Sequence, residues 1–124
     1  MQKEEILKYI KEMYNVYPDY PWENDEESAV YRHIDNKKWF ALVLKVGYDK
    51  LNIKKEGFCY AVNLKYFPEM IGSITKEKGI CLAYHMNKEH WITVLLDGTI
   101  KLKTICDLID VSYDLTMKKG GCKK

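Results

Sequence analysis

The sequence predicts an α+β domain, a two-layer sandwich of order α-βββ-α-ββ-α with an antiparallel five-stranded sheet and helices packed on one face. Three observations carry that expectation. Apolar residues recur at three- and four-residue steps near both ends of the chain. Five short apolar runs lie between those ends, and most are separated by turn signals too short for a parallel crossover.

The first element reads as a helix because Ile6, Ile10, Met13, Tyr14 and Tyr17 share one face. Pro18 ends it, since proline disfavours helical geometry in the residue before it. The following loop holds Pro21 and an acidic run from Glu23 to Glu27, which reads as a solvated surface. Residues 29–34 and 39–46 then form a hairpin, with Asp35-Asn36 starting the turn. The run Trp39 to Leu44 leaves neither face polar, so that strand is central and covered on much of both faces. A lysine-rich connection leads to a third strand over 57–64. Pro68 opens a short helix, at a position where its missing N–H costs nothing. Residues 80–86 and 90–96 are the last two strands, and Asp97-Gly98 turns the chain. The closing helix carries Leu102, Ile105, Cys106, Ile109, Tyr113, Thr116 and Met117 on one stripe and stops at Gly120-Gly121. Residues 1–119 are expected to form one domain, and 120–124 a basic tail.

With 124 residues the chain can bury a real core. Apolar residues at 47% and charged residues at 31% exclude a disordered chain. A formal charge of +2 gives no bulk attraction to nucleic acid or membrane, so any such binding needs a local patch. The amphipathic start lacks a signal-peptide core, and no segment approaches the roughly 18 apolar residues of a membrane span. A soluble, cytoplasmic protein is expected. Cys59, Cys81, Cys106 and Cys122 form no CxxC pair and read as reduced thiols, three of them in apolar runs and Cys122 exposed in the tail.

The densest polar cluster is the stretch Tyr84 to Trp91. If Asn87-Lys88 is a two-residue hairpin turn, Met86 faces Glu89 and His85 faces His90. Two opposed imidazoles could share a metal ion, but Glu89 points to the other face and no third ligand is evident. No metal and no cofactor is expected. The alternatives are a turn whose polar side chains fasten it to its surroundings, around Trp91, and a hairpin tip that touches a ligand. Catalysis lacks support, and the chain is not expected to be an enzyme. Cys81 and His85 on one strand would be roughly 13 Å apart, beyond a nucleophile–base contact. No phosphate loop, HExxH or paired-carboxylate signature is present.

Lysines supply the other constellation. Lys37, Lys38, Lys45, Lys50, Lys54 and Lys55 face a single acid, Asp49, over that span, and Arg32, Lys76, Lys78 and Lys88 add to them if they share a side. Neutralising about four phosphates would give a log–log salt slope near −3.6 on B-DNA. The same lysines can equally be a solvated surface.

Four strings, AVYRHIDNKKWFALVL, VNLKYFPEMIGS, YHMNKEHWITVLLDG and LIDVSYDLT, resemble in order the MmcQ/YjbR family of small bacterial proteins. The resemblance runs from about Tyr17 to Met117. It implies a CyaY-like fold, similar to secretion chaperones, and the label of a DNA-binding protein with a double-wing arrangement of strands and loops. Tyr84, His85, Met86, Asn87, Lys88, His90 and Trp91 match the most specific motif, and Arg32, His33, Lys38, Trp39 and Phe40 also match. No catalytic role comes with them. The expected partner is therefore DNA, with Lys37, Lys38, Lys54, Lys55 and Lys88 on phosphates and Arg32, Asn87 and His90 in closer contacts. The competing expectations are a protein partner or homodimer, and a small ligand or metal at His85/His90.

Overall fold

The computed structural model describes residues 2–22 and 28–117. The element order is α1 (Gln2–Tyr14), β1 (Ala29–Arg32), β2 (Trp39–Gly47), a 3-10 turn (Tyr48–Leu51), β3 (Phe58–Lys65), α2 (Pro68–Ile74), β4 (Ile80–Leu82), β5 (Trp91–Leu95) and α3 (Leu102–Leu115). The sheet order is β1-β2-β3-β5-β4, and every neighbouring pair is antiparallel. The α+β sandwich read from the sequence is the fold observed. No helix among the described residues is long and apolar enough to cross a membrane.

Helix α1 has Glu4 and Glu5 in its first turn and Lys11 in its last, both favourable to the helix dipole. It ends one turn earlier than Pro18 suggests. Asn15 takes a left-handed φ of 55°, and its N–H donates to the Lys11 carbonyl. The chain then runs alongside β1, where Asp19 and Val30 exchange two backbone hydrogen bonds. Ile6 and Ile10 are buried as expected, whereas Met13 and Tyr17 project into solvent at 57% and 65% exposure. Helix α3 extends the expected stripe by Leu108 and Ser112. Gly120-Gly121, Cys122 and the acidic run at 23–27 lie outside the described residues.

Two cores flank the sheet. Under α1 and α3, Ile6, Ile10, Phe40, Val43, Val62, Leu64, Ile92, Val94, Ile105 and Ile109 are sealed from water. The α1–α3 contact is also polar, because Tyr9 and Tyr14 both donate to the Asp110 carboxylate. Tyr14 stacks on Tyr113, with centroids 3.9 Å apart. On the opposite face, Val30, Leu42, Leu44, Val46, Cys59, Ala61 and Leu95 form a second core, with no α-helix among the described residues packed on it. Tyr48, Leu51 and Ile53 cover it from the β2–β3 connection, and Tyr84 and Met86 from the segment after β4. The all-apolar run of β2 is thereby explained, since Phe40, Ala41 and Val43 enter the first core and Leu42, Leu44 and Val46 the second. Cys59 is buried and Cys81 and Cys106 half-buried; all three are free thiols.

Candidate functional site

The eight residues between β4 and β5 do not form the expected two-residue hairpin. Pairing stops at Leu82↔Ile92, and Ile80 lies opposite Val94. An Asn87-Lys88 turn would have placed it opposite Leu95, one position away. The facing of Met86 with Glu89, and of His85 with His90, is therefore absent. The cause lies on a different strand. Asn63 of β3 is fully buried, and its Nδ2 donates to the Tyr84 carbonyl at 2.8 Å. Its Oδ1 accepts from Thr93 Oγ1 at 2.5 Å, and that hydroxyl in turn accepts the Tyr84 N–H at 2.9 Å. Both backbone groups of Tyr84 are thus taken by side chains rather than by a strand ladder, and the chain leaves the sheet.

His85 absorbs the bend with a φ of 66°, and its ring lies on that of Tyr84 at 3.9 Å. The side chain of Asn87 accepts the Glu89 N–H at 2.7 Å, while its carbonyl accepts from the His90 and Trp91 N–H groups. The His90 carbonyl then accepts the Tyr66 N–H at 2.9 Å. Asn87, Tyr84 and the backbone of His90 are occupied in shaping this connection. Among the described residues, no three His, Cys, Asp or Glu side chains gather as a metal site would require. The network member that sequence reasoning missed is Asn63, whose signal was one amide inside the apolar run of β3.

The β1–β2 turn is tied down in a comparable way. His33 N–H donates to the Lys38 carbonyl, Asn36 Oδ1 accepts the Lys38 N–H, and Lys37 takes a φ of 63°. Asn36 Nδ2 donates to the Thr116 carbonyl at 3.0 Å, and His33 Nε2 lies 2.7 Å from Thr116 Oγ1. This fixes the turn to the end of α3. Ser112 on the same helix bridges two strands, accepting the Lys65 N–H and donating to the Phe40 carbonyl.

Burial pushes the His33 imidazole below its ordinary value near 6.5, against a smaller opposing pull from Asp35 and Asp114. The folded state therefore resists a proton that the unfolded chain accepts. This contribution to stability is complete above that value and is lost as pH falls through it towards the folded value. Urea midpoints measured between neutral and mildly acidic pH should show the decline, and His33→Gln should flatten it.

The cationic residues divide between the two ends of the sheet. Lys37 and Lys38 precede β2, whereas Lys54 and Lys55 follow it. Nine strand residues put about 26 Å between those points. Lys55 lies over the Tyr48 ring and beside Asp97. The pairing Ala41↔Leu64 and Lys65↔Trp91 places the start of β5 at the same end as the start of β2. By strand register the 83–90 connection therefore starts from the end of Lys37 and Lys38, away from Lys54 and Lys55, while the Lys88 side chain lines a cleft beside Lys50 on the second face. Arg32 is also at that end but is engaged, its Nε 3.2 Å from Asp19 Oδ2 and its guanidinium over Trp39. The approach to Asp19 is poorly aligned, so Nε has no hydrogen bond. Asp35 and Glu89 sit on the same two connections and temper the positive field. Lys37, Lys38 and Lys88 have no ion-pair partner among the described residues.

The YjbR family model matches residues 11–115. YyaQ of Bacillus subtilis is 40% identical over 116 residues, spanning 94% of this chain and 98% of its own. YjbR of Escherichia coli is 39% identical over 54 residues, 43% of this chain and 46% of its own. The crystal structure of a Pseudomonas syringae protein superposes with a TM-score of 0.91 at 44% identity, covering 94% of this chain and 100% of that one. A Deinococcus radiodurans protein gives a TM-score of 0.71 at 26% identity, covering 98% of this chain and 82% of that one. By its match over residues 11–115 and its full-length likeness to YyaQ, this chain belongs to the YjbR family.

Proposed function

We propose that this protein is a non-catalytic DNA-binding domain that meets duplex phosphates through one end of its sheet. One observation supports the reading: two separate connections, 33–38 and 83–90, start from that end, and Lys37, Lys38 and Lys88 on them have no ion-pair partner among the described residues. In a sheet ordered β1-β2-β3-β5-β4, these connections are two to three strand spacings apart, about 10–14 Å. The major groove is about 12 Å wide, so each connection can reach one of its two phosphate rims. They are the two wings of the interface. Lys54 and Lys55 take no part in it, and Asn87 serves the shape of its wing rather than a base edge.

Phosphate contacts position a protein without selecting sequence, so little preference among duplexes is expected. Three neutralised phosphates predict a log–log salt slope of about −2.7. Anisotropy of a labelled duplex of about 20 base pairs, titrated at several salt concentrations, measures it. No binding at tens of micromolar protein in low salt, or binding indifferent to salt, would remove the proposal.

A further inference from the structure

We infer that a cleft along the free edge of β4 binds a small organic anion with an apolar body. The cleft has a volume of about 380 Å³ and runs between the 3-10 turn after β2 and the connection after β4. That size falls in the range of small-molecule pockets. Its apolar walls come from Leu51, Ile80, Leu82 and Ala83, with the Tyr84 ring at one side. Lys50 and Lys88 reach it from separate segments, and no acidic side chain lines it. Neither ammonium has an ion-pair partner among the described residues.

The chemistry of the occupant follows from that combination. A bare phosphate would gain two cations but nothing from the apolar walls, and a neutral hydrocarbon would leave both ammonium groups unused. A carboxylate, sulfonate or phosphate ester on an aromatic or aliphatic body uses both. Burial raises the Cys81 thiol above its ordinary value, so the thiol beside the ligand stays neutral and binding is non-covalent. Leu82 is 52% exposed on a three-residue edge strand, which leaves the cleft open to solvent from one side. The inference stands apart from DNA binding. Lys50 belongs only to the cleft, and the measurement below contains no nucleic acid.

The probe is 8-anilinonaphthalene-1-sulfonate, compared with its uncharged counterpart N-phenyl-1-naphthylamine. The sulfonate should bind the folded protein with one-to-one stoichiometry and more tightly than the neutral dye. Lys50→Gln with Lys88→Gln should weaken the sulfonate about tenfold, leaving the neutral dye unchanged. Leu82→Gln should weaken both dyes, and Lys54→Gln, outside the cleft, neither; circular dichroism confirms that each variant folds. Equal affinity for the two dyes, undiminished sulfonate binding in the double lysine variant, or no binding by the folded protein would each overturn the inference.

Discussion

Replacing Asn63 with alanine is expected to destabilise the protein by about 3 kcal/mol, although the residue is sealed from solvent. Its amide is fully buried between the Tyr84 carbonyl and the Thr93 hydroxyl. Truncation leaves that carbonyl without a donor and that hydroxyl without its acceptor, and it opens a cavity between β3 and β5. For a domain of this size the thermal midpoint should fall by roughly 10–15 °C. Thr93→Val removes the same bond from the other side, so the two substitutions share part of their cost. A double-mutant cycle by urea unfolding should show less loss in the pair than the singles add up to. Thr93→Ser keeps the hydroxyl and should cost about 1 kcal/mol. Simple additivity of Asn63→Ala and Thr93→Val would show that the network does not act as a unit.

That network also explains which parts of the molecule could be read from the residues alone. The order of elements was legible because apolar periodicity and turn chemistry act locally. The uninterrupted run Trp39 to Leu44 signalled a strand with two cores, and Pro68 marked the start of α2. The end of α1 is hard to read, because Tyr17 continues the apolar spacing as far as Pro18 while the helix stops at the left-handed Asn15. The path from Tyr84 to Trp91 was not legible, since a side chain 21 residues earlier decides it. Asparagine at 87 suggested the positive φ, and His85 takes it instead.

The division of the lysines had a signal that counting concealed. Six lysines between 37 and 55 look like one cluster, but a strand lies inside that span and its ends face opposite ways. The cleft along β4 had no such signal, because it is assembled from three separated segments.

Neutralising the first wing should have the largest effect on binding. Lys37→Asn with Lys38→Gln removes two of the cations the proposal sets on phosphates, and asparagine suits the left-handed backbone at position 37. The hydrogen bond from Lys38 N–H to Asn36 Oδ1 uses only the backbone of residue 38 and survives the substitution. Folding should therefore be unaffected, while duplex affinity at low salt should drop at least about tenfold and the salt slope should shrink by about 1.8. Lys54→Gln with Lys55→Gln removes the same formal charge at the far end of β2 and serves as the matched control. The decisive measurement is the salt slope of duplex binding in these two variants beside the parent protein. A shallower slope only in the Lys37/Lys38 variant is the predicted result; equal slopes, or a loss confined to the Lys54/Lys55 variant, would contradict a phosphate-binding surface at the two wings.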